Sequence, residues 1–362
     1  MKSTLSPVLR VVLAALLFMW APGRPLLEAQ NVGETMRALV RVRATVPAEA
    51  TTARTLGTER EGNGILIDSS GLILTIGYLI VEADSIEVQT TTGTFLADFV
   101  GYDGDTGFGL VRARSLAGLQ PMQLGESSRV DVGDSLQVGG FGNEAQPVRV
   151  ISRGEFVGSW EYLLDNAVYT APAYPDFGGA ALISEGKLVG VGSILATFTL
   201  SGVGRVACNM FVPIDLLKPI LQELTRSGRS GLPSRPWLGL NTTETEGRVV
   251  VTTVTPGSPA EQAGLRRGDI ILAVGQHAVA GIAEFYRQVW STGSAGVSVH
   301  LRVLQGDSIR ELTAKSVDRN DRLRRSPSRP SGASAGPAAL MSGVGAFCTY
   351  MSRMIAVELC PS

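Results

Sequence analysis

Histidine is nearly missing from this chain. Of 362 residues only two are histidines, His277 and His300, and both lie in the C-terminal half. A hydroxyl or thiol nucleophile anywhere in residues 1–276 therefore has no imidazole base in its own part of the chain. Lysine does not fill the gap. Lys187 is the only lysine between residues 31 and 217, and it sits in the polar turn Ser184-Glu185-Gly186-Lys187 between apolar runs, as an exposed turn residue would. Cysteines number three, and no cluster of His, Cys, Asp and Glu shows metal-ligand spacing, so neither a zinc hydrolase nor any other cofactor is expected. Aromatics make up 6% of the chain and the formal net charge is −1. With neither a stacking surface nor a basic field, nucleic acid is not an expected partner.

What is present is a segmented, β-rich pattern. The N-terminus has Lys2 and Arg10, an apolar run over 11–21, the breaker Pro22-Gly23, and Leu27-Glu28-Ala29 before Gln30. This is the layout of a secretory signal peptide over residues 1–29, with an uncleaved anchor as the alternative. From residue 36 to 212 short β-rich runs are separated by Gly, Asp and Ser, which predicts an all-β sandwich or barrel. Residues 215–226 have helical periodicity, with Leu216, Leu217, Ile220, Leu221 and Leu224 to one side. A Gly/Ser/Pro/Arg linker follows over 228–236.

Three stretches carry a more specific signal. They are GNGILIDSSGLILTIGYLIVEAD at 62–84, GYDGDTGFGLVRA at 101–113 and PDFGGAALIS at 175–184, supported by FVPIDLLKPILQEL at 211–224. Together they resemble the protease domain of the HtrA/Deg family, which implies a trypsin-like double six-stranded β-barrel over residues 36–227. A trypsin-like enzyme uses a histidine base, an aspartate that orients it and a serine nucleophile. In register with that pattern Tyr78, Gly107 and Phe177 occupy the three positions, and Pro175 stands where an oxyanion-loop glycine would offer an N–H. The reading is of degenerate triad positions with no catalytic residue, and Tyr78 and Phe177 are expected to meet and fill the cleft.

Residues 237–316 resemble an HtrA-type PDZ domain, a β-sandwich with two helices. The resemblance rests on Trp237-Leu238-Gly239-Leu240 and on VTPGSPAEQAGLRRGDIILAVGQHAV at 254–279. It implies that Leu238, Gly239 and Leu240 receive a peptide carboxylate and strand, with Ile282, Phe285 and Val289 lining the groove opposite. His277 falls in a turn and His300 on a strand, in surface or packing roles. The segment 317–337 reads as a disordered linker and 338–362 as an apolar tail, where Cys348 and Cys360 could pair in an oxidising compartment. Cys208 is expected to be a buried apolar residue.

These features predict a periplasmic or secreted non-catalytic binding and scaffold protein, a pseudoprotease, whose partners are protein or peptide C-termini. The alternatives are a structural subunit of a membrane or envelope complex, and a serine endopeptidase with degenerate or relocated catalytic residues. Residues 30–60 contain no Phe, Tyr or Trp, which leaves family-style trimerisation, and the oligomeric state, open.

Overall fold

The computed structural model describes residues 33, 35–116, 119–200, 204–323 and 357–359. The expected signal peptide and most of the C-terminal tail, with Cys348 and Cys360, lie outside the described residues.

The first six strands close into a barrel. They are β1 (Leu39–Thr45), β2 (Glu59–Leu66), β3 (Leu72–Ile76), β4 (Ser85–Thr90), β5 (Gly93–Tyr102) and β6 (Phe108–Arg112), hydrogen-bonded in the order β1-β2-β3-β6-β5-β4. The short helix α1 (Ala53–Leu56) lies between β1 and β2. Alternation explains which face turns inward: Val40, Val42 and Ala44 of β1 and Ile86 and Val88 of β4 are buried, with Arg41, Arg43 and Glu87 between them on the other face. Val42 pairs with Gly62 on one side and Val88 on the other, so one strand joins two edges of the barrel.

The second barrel is built from β7 (Ser135–Gly139), β8 (Gln146–Gly158), β9 (Tyr162–Ala171), β10 (Ala181–Ser184), β11 (Lys187–Leu200) and β12 (Gly204–Pro213). The order β10-β7-β8-β9-β12-β11 closes through β10–β11. Cys208 is fully buried in β12, and burial pushes its thiol up to about 12. The β10–β11 hairpin turns on Glu185 and Gly186, both at positive φ, which places Lys187 on the strand side of a tight turn.

The helix expected over 215–226 is shorter. A 3-10 turn spans Ile214–Leu216, and the α-helix α2 runs only over Leu221–Ser227. Pro219 lacks an N–H and disfavours helical geometry at the residue before it, so the two turns do not merge. Leu217, Ile220 and Leu224 are buried as the periodicity predicts, while Leu216 points outward.

The remaining domain has strands β13 (Leu240–Thr245), β14 (Arg248–Val254), β15 (Ile270–Val274), β16 (His277–Ala278), β17 (Ser298–Gln305) and β18 (Ser308–Lys315), with helices α3 (Pro259–Gln262) and α4 (Ile282–Ser291). The sheet order is β13-β14-β15-β17-β18, with β16 paired to β15, so β13 is an edge strand. Helix α3 is capped by Ser258, whose Oγ accepts from the Glu261 N–H, and the Glu261 carboxylate accepts from the N–H of Gly257, one residue before the cap. Both histidines are exposed, and His300 contacts Thr313 across β17 and β18.

Residues 318–323, expected to begin an unstructured linker, are ordered. Arg319–Arg322 forms a 3-10 turn, and Asp318 and Asp321 pair with Arg229. In the tail, β19 (Val357–Leu359) pairs in parallel with Ala196–Phe198 of β11.

Candidate functional site

Between the barrels, main-chain bonds bring the anticipated cleft residues together. Tyr78 lies in the 3-10 turn Gly77–Leu79 that follows β3. Arg60, almost fully buried, holds that turn. Its Nη1 donates to the carbonyls of Tyr78 (2.9 Å) and Val81 (3.0 Å), its Nε to Gly57 (3.1 Å) and its Nη2 to Thr52 Oγ1 (2.7 Å). Burial brings the guanidinium down to about 10, against the pull of Glu82. Gly107 sits at φ +82, donates to the Asp103 carbonyl and accepts from the Gly77 N–H at 2.7 Å, which places it directly beside the Tyr78 turn.

The loop 175–179 reaches this place from the second barrel. Asp176 pairs with Arg41 at 2.6 Å, and Asn63 Nδ2 donates to the Asp176 carbonyl at 2.7 Å. The Gly178 carbonyl accepts from the Asn63 N–H at 2.7 Å. Gly179, at φ +74, packs so closely on the Asn63 carbonyl that no Cβ would fit. Pro175 is exposed and Phe177 half-buried. Tyr78 crosses the cleft by its hydroxyl, which donates to the Ser193 carbonyl at 3.0 Å. Burial raises the phenol's pKa, and Asp176 adds to the rise, so it is a donor here rather than a base. The expected ring-to-ring meeting with Phe177 is not what joins the barrels: the aromatic pairs of the described residues lie elsewhere, and Tyr78 bonds to main chain.

The second candidate site lies at the start of β13. Leu238 and Leu240 are buried, and Gly239 takes φ +86 against Ser258, so three successive N–H groups face one point. The carboxylate of Glu161 sits there. Oε1 accepts from Leu238 N at 2.8 Å, and Oε2 accepts from Gly239 N at 2.8 Å and Leu240 N at 3.0 Å. Burial pushes the Glu161 carboxyl up, and the three N–H groups pull it back. Opposite, Phe285 and Val289 are fully buried in the domain core, and Ile282 packs on its edge. Tyr286, the neighbour on α4, faces the groove with a polar tip. Its hydroxyl donates to the Gly158 carbonyl (2.9 Å), accepts from Glu161 N (3.0 Å) and contacts Thr242 Oγ1 (3.1 Å).

The three N–H groups expected to receive a peptide carboxylate hold the Glu161 carboxylate, and Glu161, Tyr286 and Thr242 were not among the residues the sequence singled out. Tyr286 sits one position after Phe285 and was legible as a groove-helix aromatic. Nothing local marks Glu161, which occupies a hairpin tip between β8 and β9. Among the described residues no group of His, Cys, Asp and Glu could hold a metal, and no helix is long and apolar enough to cross a membrane.

Residues 62–191 match the trypsin-like peptidase domain family, and residues 236–315 match the PDZ domain family. The chain is 30% identical over 224 residues to the serine endoprotease DegS of Haemophilus influenzae, covering 58% of this chain and 64% of that protein. It is 26% identical over 264 residues to the periplasmic pH-dependent serine endoprotease DegQ of Escherichia coli, covering 67% of this chain and 56% of the relative. The chain therefore spans less than two thirds of the length of these curated relatives. Among solved structures, the HtrA-type protease AlgW with decapeptide superposes with a TM-score of 0.50 at 22% identity, over 83% of this chain and 99% of that one. The serine endoprotease from Yersinia pestis gives 0.50 at 22% identity, over 80% and 97%. These two show the fold.

The relatives correct one expectation. A non-catalytic scaffold, and the absence of enzyme activity, were read from Tyr78, Gly107 and Phe177, yet the curated relatives are named serine endoproteases and nothing in the structure demonstrates inactivity. Residues at three aligned positions say which groups stand there. They do not measure hydrolysis. With a peptidase domain and a PDZ domain following each other as in those relatives, the chain belongs to the HtrA/Deg family.

Proposed function

We propose that this chain handles polypeptides in the periplasm. Its PDZ groove takes a C-terminal carboxylate on the N–H groups of Leu238, Gly239 and Leu240, and the polypeptide is the substrate of an HtrA-type endopeptidase built on the double barrel. The barrel domain spans 36–227, the linker 228–236 and the PDZ domain 237–316. The observation that carries the reading is the convergence of three backbone N–H groups on one carboxylate at 2.8–3.0 Å. A peptide C-terminus presents the same group, and the edge strand β13 supplies a ladder for the residues before it.

The names of DegS and DegQ support the endopeptidase part, and the name of DegQ supports the location. An endopeptidase on this barrel has to work without an imidazole base of its own, since residues 1–276 contain no histidine.

The test has two arms. Purified full-length protein is incubated with unfolded casein and, separately, titrated with fluorescent peptides ending in a free or an amidated apolar residue. Casein fragments and tighter binding of the free carboxylate are expected, with Leu240→Glu weakening that binding. Casein left intact under conditions where an HtrA relative digests it removes the endopeptidase part. Equal binding of free and amidated peptides removes the carboxylate part.

A further inference from the structure

We infer that the PDZ groove carries a built-in ligand, the β8–β9 hairpin tip with the carboxylate of Glu161, which an incoming peptide C-terminus must displace. This rests on the PDZ reading above and adds what occupies the site.

The tip imitates a bound peptide at each of the contacts such a ligand makes. The Glu161 carboxylate takes the N–H groups of Leu238, Gly239 and Leu240, as a terminal carboxylate would. The Thr242 N–H on the free edge of β13 donates to the Ser159 carbonyl at 2.8 Å, a rung of strand addition. Leu163, just past the tip, is buried in the same apolar cluster as Leu238, Leu240 and Phe285, and Val157 packs on that cluster. On the far wall the Tyr286 hydroxyl clamps Gly158 and Glu161 main chain. Outside the groove, Arg287 of α4 pairs with Asp165 at 2.6 Å and also with Glu155, one on each strand of the hairpin.

The residue choice points the same way. Glu161 is buried to 8% exposure at φ +57, a left-handed conformation that glycine takes more readily. A hairpin turn alone would favour Gly or Asn there. A long acidic side chain at a strained, buried tip is used for its carboxylate. Two carboxylates cannot share one set of three N–H donors, because they repel and the donors are spent. Binding of an external C-terminus and docking of Glu161 therefore exclude each other, and the apparent affinity of the groove is reduced by the fraction of molecules whose tip is undocked.

The experiment uses the full chain as wild type, Glu161→Ala and Glu161→Gln, each checked for folding by thermal unfolding. A fluorescent decapeptide with a free C-terminal leucine is titrated into each. Hydrogen exchange of the segment 237–241 is followed without peptide. Glu161→Ala is expected to bind the peptide about tenfold more tightly than wild type, and its 237–241 segment to exchange faster. Glu161→Gln, which loses the charge and keeps the size, should fall between. Equal affinity together with equal exchange overturns the inference and leaves the PDZ reading standing. If none of the three binds the peptide, faster exchange in Glu161→Ala still supports Glu161 as the occupant and places the failure in the carboxylate-capture reading. Unchanged exchange overturns the inference.

Discussion

The cleft between the barrels and the loop at the start of β13 are built on different chemistry. The cleft depends on which side chains stand at a few positions. Here Tyr78, Gly107 and Phe177 stand there, with a phenol spent on the Ser193 carbonyl. The groove depends on backbone N–H groups at 238–240, which belong to nearly any residue that can follow the path. Substitution rewrites the first kind of site and leaves the second intact as long as Gly239 can hold its positive φ. A site made of main chain is robust to sequence change, and a site made of side chains is not.

That contrast can be broken or sharpened by substitution. The largest effect is expected in the PDZ core. Phe285 is fully buried in the PDZ core, so Phe285→Ala should cost about 3–5 kcal/mol in chemical denaturation, with peptide binding lost. A loss below about 1 kcal/mol would mean that the groove does not rest on its core. Next comes the cleft loop. Gly179→Ala puts a side chain at φ +74 against the Asn63 carbonyl and should cost about 2–3 kcal/mol by the same measurement. An unchanged midpoint would show that the loop relaxes freely, and the cleft would then be softer than its hydrogen bonds suggest. The smallest effect is Tyr78→Phe, which removes one hydroxyl bond across the cleft and should cost about 1 kcal/mol. Accelerated casein turnover in that variant would show that the tyrosine restrains the cleft rather than merely joining its two sides.

Much of this was legible before the fold was seen. The β-rich runs over 36–212 and the polar turn at Ser184–Lys187 follow local rules that act over a few residues. The helix over 215–226 failed at Pro219, because apolar spacing outweighed a proline whose geometric veto was also in plain view. The sense of the cleft was misread for a different reason: a residue name at an aligned position was taken as a statement about activity, and the endoprotease names of the relatives do not support it.

Chain-local pattern thus sufficed for the β-rich character of 36–212 and for the turn at 184–187, because each depends on neighbours within a turn or a hairpin, while the double barrel and the PDZ domain were legible only through the family resemblance. Only the folded molecule could decide what fills the PDZ groove. Glu161 and its donors lie 77 to 79 residues apart, and no periodicity or motif links them. They meet because a hairpin of the second barrel is long enough to reach the edge of β13. The side chain at its tip then satisfies three buried N–H groups that would otherwise need another partner.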